Sequence, residues 1–462
     1  MNNKEIKNNI SIVKTKDHYP DFPFETASHL DQALKNLFLG LGLSKDNPFS
    51  EYIKPGETAL IKPNWVRDFN PLGYNIDSLI SHTSLIKYLM DYLAISMAGR
   101  GKIIIGDAPL QNCNFENLKR GNRIEEVVNN FRAKYPNIEV FIEDWRITTM
   151  DSSKSSEGGQ GVRLQEGEYD KEYKLVDLGK ESFLEEISEF SHRFRVTKYK
   201  PSLMQKHHKK GKHEYLVSKR IFEADFMINL PKFKTHIKAG LTGALKNLVG
   251  INGHKEFLPH HIKGSRERGG DNYKNYSWLR EKYEDFYDYV WENLNDFNPI
   301  TRKIYLKILE FMWLFSDKIG ADKISAGGWY GNDTIWRTTL DLNHVAYFYS
   351  DKPKKILNII DGIIAGEGEG PLEPLPKPLG LLIASENPVI LDAVMAKVIG
   401  YNYEDIPTVF NAIKNTKSRF SFSDLNDMLI PIFEDKKIDV KYSDISSYNF
   451  IKPHHWDGKY LE

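Results

Sequence analysis

The sequence predicts an α/β fold with a mostly parallel sheet, flanking helices and a helical insertion. Six short runs are typical of buried strands, because their apolar residues are continuous rather than alternating and each run leads into polar, Gly or Pro residues. Segments between several of these runs have the helical spacing of apolar residues, which favours alternation of strands and helices. In chain order, the strands are TALIKPN (58–64), KIIIGDAP (102–109), IEVFIED (138–144), EADFMINLP (223–231), KILNIIDG (355–362) and LGLLIASEN (379–387), and the helices are 82–99, 123–135 and 387–400.

Composition along the chain predicts one α/β domain with two insertions and two extensions. We assign residues 58–415 to this domain. A polar, glycine-rich stretch at 151–170 marks a loop-rich first insertion, and an aromatic, charged block with helical periodicity marks the second. The remaining assignments are an N-terminal extension (1–57), a loop-rich insertion (151–222), a helical insertion (273–330) and a C-terminal extension (416–462).

The longest apolar patch lies at 301–320, inside the helical insertion. A membrane span needs about 20 predominantly apolar residues, and four charged residues interrupt this patch, so we predict no membrane span. The spacing predicts an amphipathic helix whose stripe we expect to pack within the chain, with a membrane-surface role as the alternative. The charged residues are Lys303, Lys307, Glu310 and Asp317, and the stripe is Ile304, Ile308, Phe311, Met312 and Phe315.

Charge and cysteine content exclude several classes of protein. The 63 Lys and Arg residues balance 63 Asp and Glu residues, so no overall basic field favours a nucleic-acid partner. The one cysteine, Cys113, excludes an intramolecular disulfide and a self-contained four-cysteine metal site. The first residues lack the pattern of a signal peptide, so we expect a cytoplasmic, reducing location. The sequence does not identify a protein partner.

Polar residues follow the predicted strands at their carboxyl ends, where open α/β sheets bind ligands. A single residue of this kind is more often a turn or cap residue. Four such endings together favour a shared site. They are Lys62 and Asn64 after the first strand, Asp107 and Cys113 after the second, Lys232, Lys234 and His236 after the fourth, and Asp361 after the fifth.

The stretch NLPKFKTHIKAGLTGALKNLVG, at 229–250, is rich in lysine and glycine. We expect Leu241 to Leu248 to form a short helix whose free N–H groups and positive dipole end face the crevice and hold an anion. The alternative is that Gly240 and Gly243 are ordinary turn residues and the lysines are solvated, since the loop lacks a Walker A pattern. The residues expected around the anion are Lys62, Asn64, Cys113, Lys232, Lys234, Lys238, Thr242, Lys246 and Asn247.

Four histidines, at positions 236, 254, 260 and 261, follow the same strand. Imidazole titrates near neutral pH, so we assign proton transfer to His236 and His254, with Lys246 and Asp107 as further catalytic groups. A divalent metal is a second use of this region, although the spacings match no zinc signature. The glycine-rich stretch DGIIAGEGEGPLEP (361–374) is predicted to be a loop that offers oxygen ligands for a cation such as Mg²⁺. The candidate metal ligands are Asp361, Glu367, His260 and His261.

These motifs together resemble the DUF362 family, a group of largely uncharacterised bacterial and archaeal proteins. The resemblance covers about 58–400 and implies an α/β fold with the motifs around one pocket, without a settled reaction. Many relatives carry a ferredoxin-like segment with cysteine clusters, and this chain has none, so we expect no intrinsic iron–sulfur cluster. The motifs are LIKPNWV (60–66), IIIGDAPLQNC (103–113), EADFMINLPKFKTHIKAGLTGALKNLVGINGHKEFLPHH (223–261), GNDTIWRTTLDLN (331–343), DGIIAGEGEGPLEP (361–374) and NPVILDAVMAKVIGY (387–401).

The predicted function is an enzyme that acts on an anionic small molecule, carboxylated or phosphorylated, by acid–base chemistry assisted by Lys and His. The alternative is a non-catalytic module that binds an anionic ligand or a redox partner protein. A deep pocket with buried, oppositely charged side chains favours the enzyme, whereas a shallow basic surface favours the module.

Overall fold

The computed structural model describes residues 6–25, 28–150, 160–162, 169–318, 326–351, 354–420, 422 and 424–456. These residues form eighteen strands and thirteen α-helices. The strands are β1 (Ser11–Lys14), β2 (Thr58–Pro63), β3 (Gly101–Asp107), β4 (Ile138–Asp144), β5 (Thr148–Met150), β6 (Gln160–Val162), β7 (Tyr173–Asp177), β8 (Phe194–Arg195), β9 (His208–Lys209), β10 (Lys212–Ser218), β11 (Phe226–Leu230), β12 (Lys232–His236), β13 (Gly240–Leu241), β14 (His261–Ile262), β15 (Lys355–Glu369), β16 (Glu373–Ser385), β17 (Leu429–Phe433) and β18 (Lys437–Lys441). The helices are α1 (His29–Gly40), α2 (Thr83–Ser96), α3 (Phe115–Gly121), α4 (Ile124–Lys134), α5 (Tyr169–Glu172), α6 (Pro201–His207), α7 (Arg220–Glu223), α8 (Gly243–Asn247), α9 (Trp278–Glu292), α10 (Pro299–Lys318), α11 (Ile335–Phe348), α12 (Pro388–Ile399) and α13 (Pro407–Lys414).

One large sheet organises the molecule, in the order β18-β17-β1-β16-β15-β11-β2-β3-β4. Its strands β15, β11, β2, β3 and β4 are neighbours and run parallel. Strand β12 pairs with the second half of β15, beyond the end of β11. The predicted α/β class and mostly parallel sheet are confirmed. All six predicted strands are present, and only β16 among them is antiparallel to its neighbour β15.

Helices cover both faces of this sheet. Successive residues of a strand point to opposite faces, and strand β3 illustrates the result. Ile103 and Ile105 pack into a core with helices α1, α2 and α4, whereas Ile104 packs into a second core with α8, α11 and α12. Burial on both faces explains why the strand sequences are continuously apolar. The three helices predicted at 82–99, 123–135 and 387–400 are α2, α4 and α12.

The two segments predicted as extensions contribute strands to the large sheet. From residues 1–57, β1 lies between β16 and β17, and Ser11 pairs with Ala384. From residues 416–462, β17 and β18 complete that edge. Both ends of the described chain are therefore built into the sheet that carries the central strands.

The insertion predicted at 151–222 contributes small sheets beside the main one. Strands β7, β10 and β9 form a three-stranded sheet, and β8 pairs with β14. Residues 151–159 and 163–168 of the predicted loop lie outside the described residues. The described part matters for the site because the loop after β8 lies beside the carboxyl ends of the parallel strands, as described below.

The helical insertion contains α9 and α10, which pack against each other. Residues Tyr305, Leu306 and Leu309 of α10 form a small core with Val290 and Trp291 of α9. No helix among the described residues is both long enough and apolar enough to cross a membrane.

The apolar stripe predicted on α10 faces outward. Ile304, Ile308, Phe311 and Phe315 are 51%, 40%, 68% and 48% exposed. The expectation that this stripe packs within the chain is therefore wrong. Helix α10 is apolar on two faces, and the face that includes Leu309 is the one that meets α9.

Candidate functional site

A cavity of about 410 Å³ lies at the carboxyl ends of strands β2, β3 and β4. Other parts of its wall come from β12, α8 and the loop Val196–Tyr199 of the first insertion. This is the sheet edge at which polar strand-end residues were predicted to meet. Of the predicted site residues, the wall includes Lys62, Asn64, Asp107, Lys234, His236, Thr242, Lys246, Asn247 and His260.

A fully buried ion pair joins the ends of β2 and β3. Lys62 Nζ lies 2.7 Å from Asp107 Oδ1, and neither side chain is more than 3% exposed. Asp107 also accepts hydrogen bonds from the backbone N–H groups of Trp65 and Ala108. Burial lowers the pKa of Lys62 and raises that of Asp107, and the pair opposes both shifts. The pair fixes the two strand ends relative to each other.

Amide side chains extend this pair into a polar network. Asn247 Oδ1 accepts a hydrogen bond from Asn64 at 2.8 Å and from Lys62 at 3.3 Å. Asn247 Nδ2 donates to Asn229 Oδ1 at 2.8 Å. Two other buried oxygens in the wall, Asn64 Oδ1 and Thr242 Oγ1, have no hydrogen-bond partner among the described residues. Buried polar atoms are normally paired, so these oxygens are available to a ligand.

Positive charge exceeds negative charge in the wall. Among the described residues, the wall carries eight Lys or Arg side chains and a single carboxylate, that of Asp107. Asp107 pairs with Lys62, and Arg146 pairs with Asp144 at 2.6 Å. Among the described residues, Lys234, Lys238, Lys246 and Lys255 have no acidic partner in the wall. The eight are Lys62, Arg67, Arg146, Lys198, Lys234, Lys238, Lys246 and Lys255.

The half-buried lysines 238, 246 and 255 form no salt bridge within the described residues. Burial, reinforced by nearby Lys238 and Lys62, lowers the pKa of Lys246 to about 7. Burial and the charge of Arg146 lower the pKa of Lys255 to about 7 as well. The pKa of Lys238 falls to about 8, because burial outweighs attraction by Asp271. In the ligand-free site these three lysines therefore lose their protons more readily than a solvated lysine does. A bound anion would raise their pKa values again.

We expect anion affinity at this site to fall as the pH rises from about 7 to 9. Lys246, Lys255 and Lys238 lose protons in the free site through this range, and an anion binds best to their protonated forms. Each lysine should contribute up to roughly tenfold loss of affinity per pH unit above its pKa. Isothermal titration calorimetry with sulfate, which stays divalent over this range, measures the effect. Constant affinity from pH 6 to 9 would contradict it.

Backbone contacts set the tautomers of two histidines in the wall. The backbone N–H of Lys238 donates to Nδ1 of His236 at 3.0 Å, so a neutral His236 carries its proton on Nε2. Nδ1 of His260 lies 2.6 Å from the carbonyl oxygen of Leu258, which can only accept, so His260 carries its proton on Nδ1. Burial and neighbouring lysines keep the pKa of both rings well below its usual value. The two neutral rings thus have opposite free groups, a donor on His236 and an acceptor on His260.

A second buried network lies beside the cavity and contains Lys232 and Asp361. Lys232 Nζ lies 3.1 Å from Asp361 Oδ2 and donates to the Tyr19 hydroxyl, which in turn donates to Asp361 at 2.7 Å. The backbone N–H of His82 donates to the same carboxylate. Neither Lys232 nor Asp361 is in the cavity wall. The predicted roles in substrate binding and metal binding are therefore corrected: these two residues connect the N-terminal segment to the sheet.

The predicted helix start is occupied by the chain itself. Helix α8 begins at Gly243, and the N–H groups of Ala244 and Leu245 donate to the buried carboxylate of Asp392 on α12, at 2.5 and 3.0 Å. Gly243 has φ +53°, and a Cβ there would overlap this carboxylate. The free N–H groups are thus satisfied without a ligand, so the helix start does not hold the anion. The surrounding side chains take that role in the proposal below.

Two further predicted site residues, His254 and Cys113, lie outside the cavity wall. His254 Nδ1 accepts the backbone N–H of Glu256 and caps a short helical turn, while burial lowers its pKa to about 4. Cys113 is buried in the core beside α3, and burial raises the pKa of its thiol to about 12. Burial thus disfavours the thiolate, and neither residue reaches the cavity. The predicted catalytic role of His254 and binding role of Cys113 are corrected.

The predicted metal ligands are dispersed. His260 is in the cavity wall, whereas His261 lines a different cavity under α9 and α10. The segment 361–374 is a hairpin of β15 and β16 rather than a loop, and Glu367 pairs with Lys377 across it at 3.0 Å. Within the described residues, no three His, Cys, Asp or Glu side chains are grouped to hold a metal ion. The four residues thus do not form one site.

Several wall residues were missed in the sequence. Arg146 lies two residues after the end of β4 and donates to the carbonyls of Leu110 and Cys113, which holds the loop after β3. Its position after a strand is the signal that could have found it. Lys255 lies in the histidine-rich stretch and was overlooked beside His254. The loop Val196–Tyr199 carries no motif, and only the fold brings it to the wall.

Residues 176–397 match the family model described as "Domain of unknown function (DUF362)". The chain therefore carries a DUF362 domain. The matched range supplies the lysine-rich and histidine-rich side of the cavity, from Val196 to His260, while Lys62 and Asp107 come from strands that precede it. No curated protein matches this DUF362 chain.

Proposed function

We propose that this DUF362 protein is an enzyme that acts on a small molecule carrying at least two negative charges, carboxylated or phosphorylated. The observation that carries the proposal is the excess of cations in the cavity wall. Lysines 238, 246 and 255 have no counter-ion there, and the single carboxylate already pairs with Lys62.

The free-energy cost of burying unpaired cations supports an anionic ligand. Burying a cation without a partner is unfavourable, because the lost hydration is not replaced. A ligand with one negative charge would leave most of these lysines unpaired. A phosphoryl group or several carboxylates would pair with more of them, since each oxygen accepts a charge-assisted hydrogen bond.

His260 supplies the proposed proton transfer. It would accept a proton on Nε2, which the contact of Nδ1 with a backbone carbonyl leaves free, while the neutral His236 would donate a hydrogen bond from Nε2–H to an oxygen of the substrate. Lys246 would stabilise negative charge that develops on the substrate. Asn64 Oδ1 and Thr242 Oγ1, the unpartnered oxygens of the wall, would accept hydrogen bonds from substrate hydroxyl or amino groups.

The alternative is a non-catalytic module that binds the same anion. Such a module needs the lysines but has no use for a donor and an acceptor imidazole in one wall. The buried ion pair in the cavity wall also favours the enzyme.

The proposal is tested by removing single lysines. In Lys246→Met and Lys255→Met, a cation without a counter-ion is replaced by an apolar chain of similar length, so the ligand-free protein should keep or gain stability. Affinity for sulfate should fall roughly tenfold to hundredfold, the contribution of one hydrogen bond to a charged group. Thermal shift with sulfate, and with a screen of phosphorylated and carboxylated metabolites, measures both effects.

Lys45→Met, at an exposed lysine outside the cavity wall, is the matched control and should keep the affinity of the native protein. Folded Lys246→Met and Lys255→Met proteins that both bind sulfate with native affinity would refute the anion site.

A further inference from the structure

Helix α10 exposes a large apolar surface that the fold does not use. Ile300 is 74% exposed and Phe311 68%, although both are large apolar residues of one helix. We name the surface that they share the outer face of α10. Its apolar members are Ile300, Ile304, Ile308, Phe311, Leu314 and Phe315.

Two lysines lie within this outer face. At 3.6 residues per turn, Lys303, Lys307 and the six apolar residues fall within about 140° of the helix circumference. Lys303 and Lys307 are exposed. Among residues 299–315, whose side chains the structure describes, no Asp or Glu falls within that arc, and Glu310 lies just outside it. The outer face is therefore apolar and positively charged.

Packing within the chain does not explain the outer face. The opposite side of α10 already forms a small core with α9 through Tyr305, Leu306 and Leu309. A contiguous exposed apolar patch of this kind typically marks a surface that meets a partner or a membrane.

We propose that the outer face of α10 docks on a lipid bilayer that contains anionic lipids. Apolar side chains of a helix that lies in the interface enter the boundary between headgroups and acyl chains, and flanking lysines reach the phosphates. Charge decides between this occupant and a second copy of the chain. A two-fold contact through this face would bring Lys303 and Lys307 near the same lysines of the other copy, with no carboxylate in the arc to pair with them.

Docking would place α10 between the bilayer and a second cavity. Leu309, Glu310 and Trp313 of α10 line this second cavity, which has a volume of about 560 Å³. This cavity shares the loop Val196–Tyr199 with the cationic cavity. The docking surface does not depend on the enzymatic proposal, because its residues lie on a different part of the chain.

Vesicle flotation with the full chain tests the proposal. The native protein should float with vesicles of phosphatidylcholine and phosphatidylglycerol and bind vesicles of phosphatidylcholine alone at least roughly tenfold more weakly, since each lysine near an anionic surface contributes about fivefold. Lys303→Glu/Lys307→Glu should lose this preference. Ile304→Gln/Phe311→Gln should lose binding to both kinds of vesicle by roughly tenfold or more. Leu429→Gln, at a residue that is 65% exposed on β17, should bind as the native protein does.

Three outcomes would overturn the proposal. The first is a native protein that does not float with the anionic vesicles. The second is equal binding to both vesicle types. The third is sedimentation as a dimer that Ile304→Gln/Phe311→Gln converts to a monomer, which would assign the outer face to a second copy. The substituted side chains are exposed, so circular dichroism and thermal unfolding should match those of the native protein.

Discussion

Replacing Asp107 by alanine should destabilise the native state by about 3–5 kcal/mol, because it leaves the buried ammonium group of Lys62 without its charged partner. The same change removes the acceptor of the backbone N–H of Trp65 and one of the two acceptors of the backbone N–H of Ala108. Lys62 and Trp65 are almost fully buried, so water cannot replace their missing contacts. Urea unfolding followed by tryptophan fluorescence measures the change in the free energy of unfolding.

A second variant, Gly250→Ala, disturbs the ion pair of Lys62 and Asp107 by steric overlap. A Cβ at Gly250 would overlap Asp107 Oδ1 and lie 2.8 Å from Lys62 Nζ, so Gly250→Ala should cost about 1–3 kcal/mol. Gly121→Ala is the control, because the nearest atom to its Cβ would be 3.8 Å away. A loss below about 1 kcal/mol in Asp107→Ala would show that the pair does not stabilise the fold.

Replacing His260 by glutamine should lower turnover roughly 10²- to 10⁴-fold, the usual contribution of a general base. The expected cause is the loss of the Nε2 acceptor, which the contact between Nδ1 and the Leu258 carbonyl leaves free. Turnover is measured with the substrate found in the metabolite screen. His261→Gln is the matched control, because this neighbouring ring lines the other cavity and should leave turnover within severalfold of the native rate.

The tautomers can be measured without a substrate. Long-range ¹H–¹⁵N correlation spectra of the native protein should show His236 protonated on Nε2 and His260 on Nδ1, with both rings neutral at pH 7. Neither ring should titrate near pH 6.5, because burial and the neighbouring lysines hold both pKa values well below that value. A protonated His260 at neutral pH would remove the proposed base.

The central strands and much of the cavity wall could be predicted from sequence because both follow from local pattern. Continuous apolar runs identified β2, β3 and β11, and the strand-end rule then placed Lys62, Asp107 and Lys234 at one edge. The sequence did not reveal what occupies the start of α8. The carboxylate that binds there belongs to Asp392, far along the chain on α12. Long-range pairing of this kind leaves no signal within a short window.

Two other predictions were wrong because they also depend on contacts between distant parts of the chain. The glycines of 361–374 favoured a loop, whereas cross-strand hydrogen bonds between β15 and β16 make the segment a hairpin. Helical periodicity identified α10 but did not tell which of its two apolar faces would meet α9. Periodicity defines a stripe on one element, and the choice of its partner depends on the rest of the fold.

The pairing of β1 has a consequence for the biosynthesis of the protein. This strand lies between β16 and β17. It therefore stays unpaired until these two strands, which are hundreds of residues later in the chain, have left the ribosome. Closing such a long loop is slow, and until it closes the unpaired edges of β1 and β16 can associate with other chains. The sheet is therefore complete only after translation has passed β18, and the nascent chain carries unpaired strand edges until then.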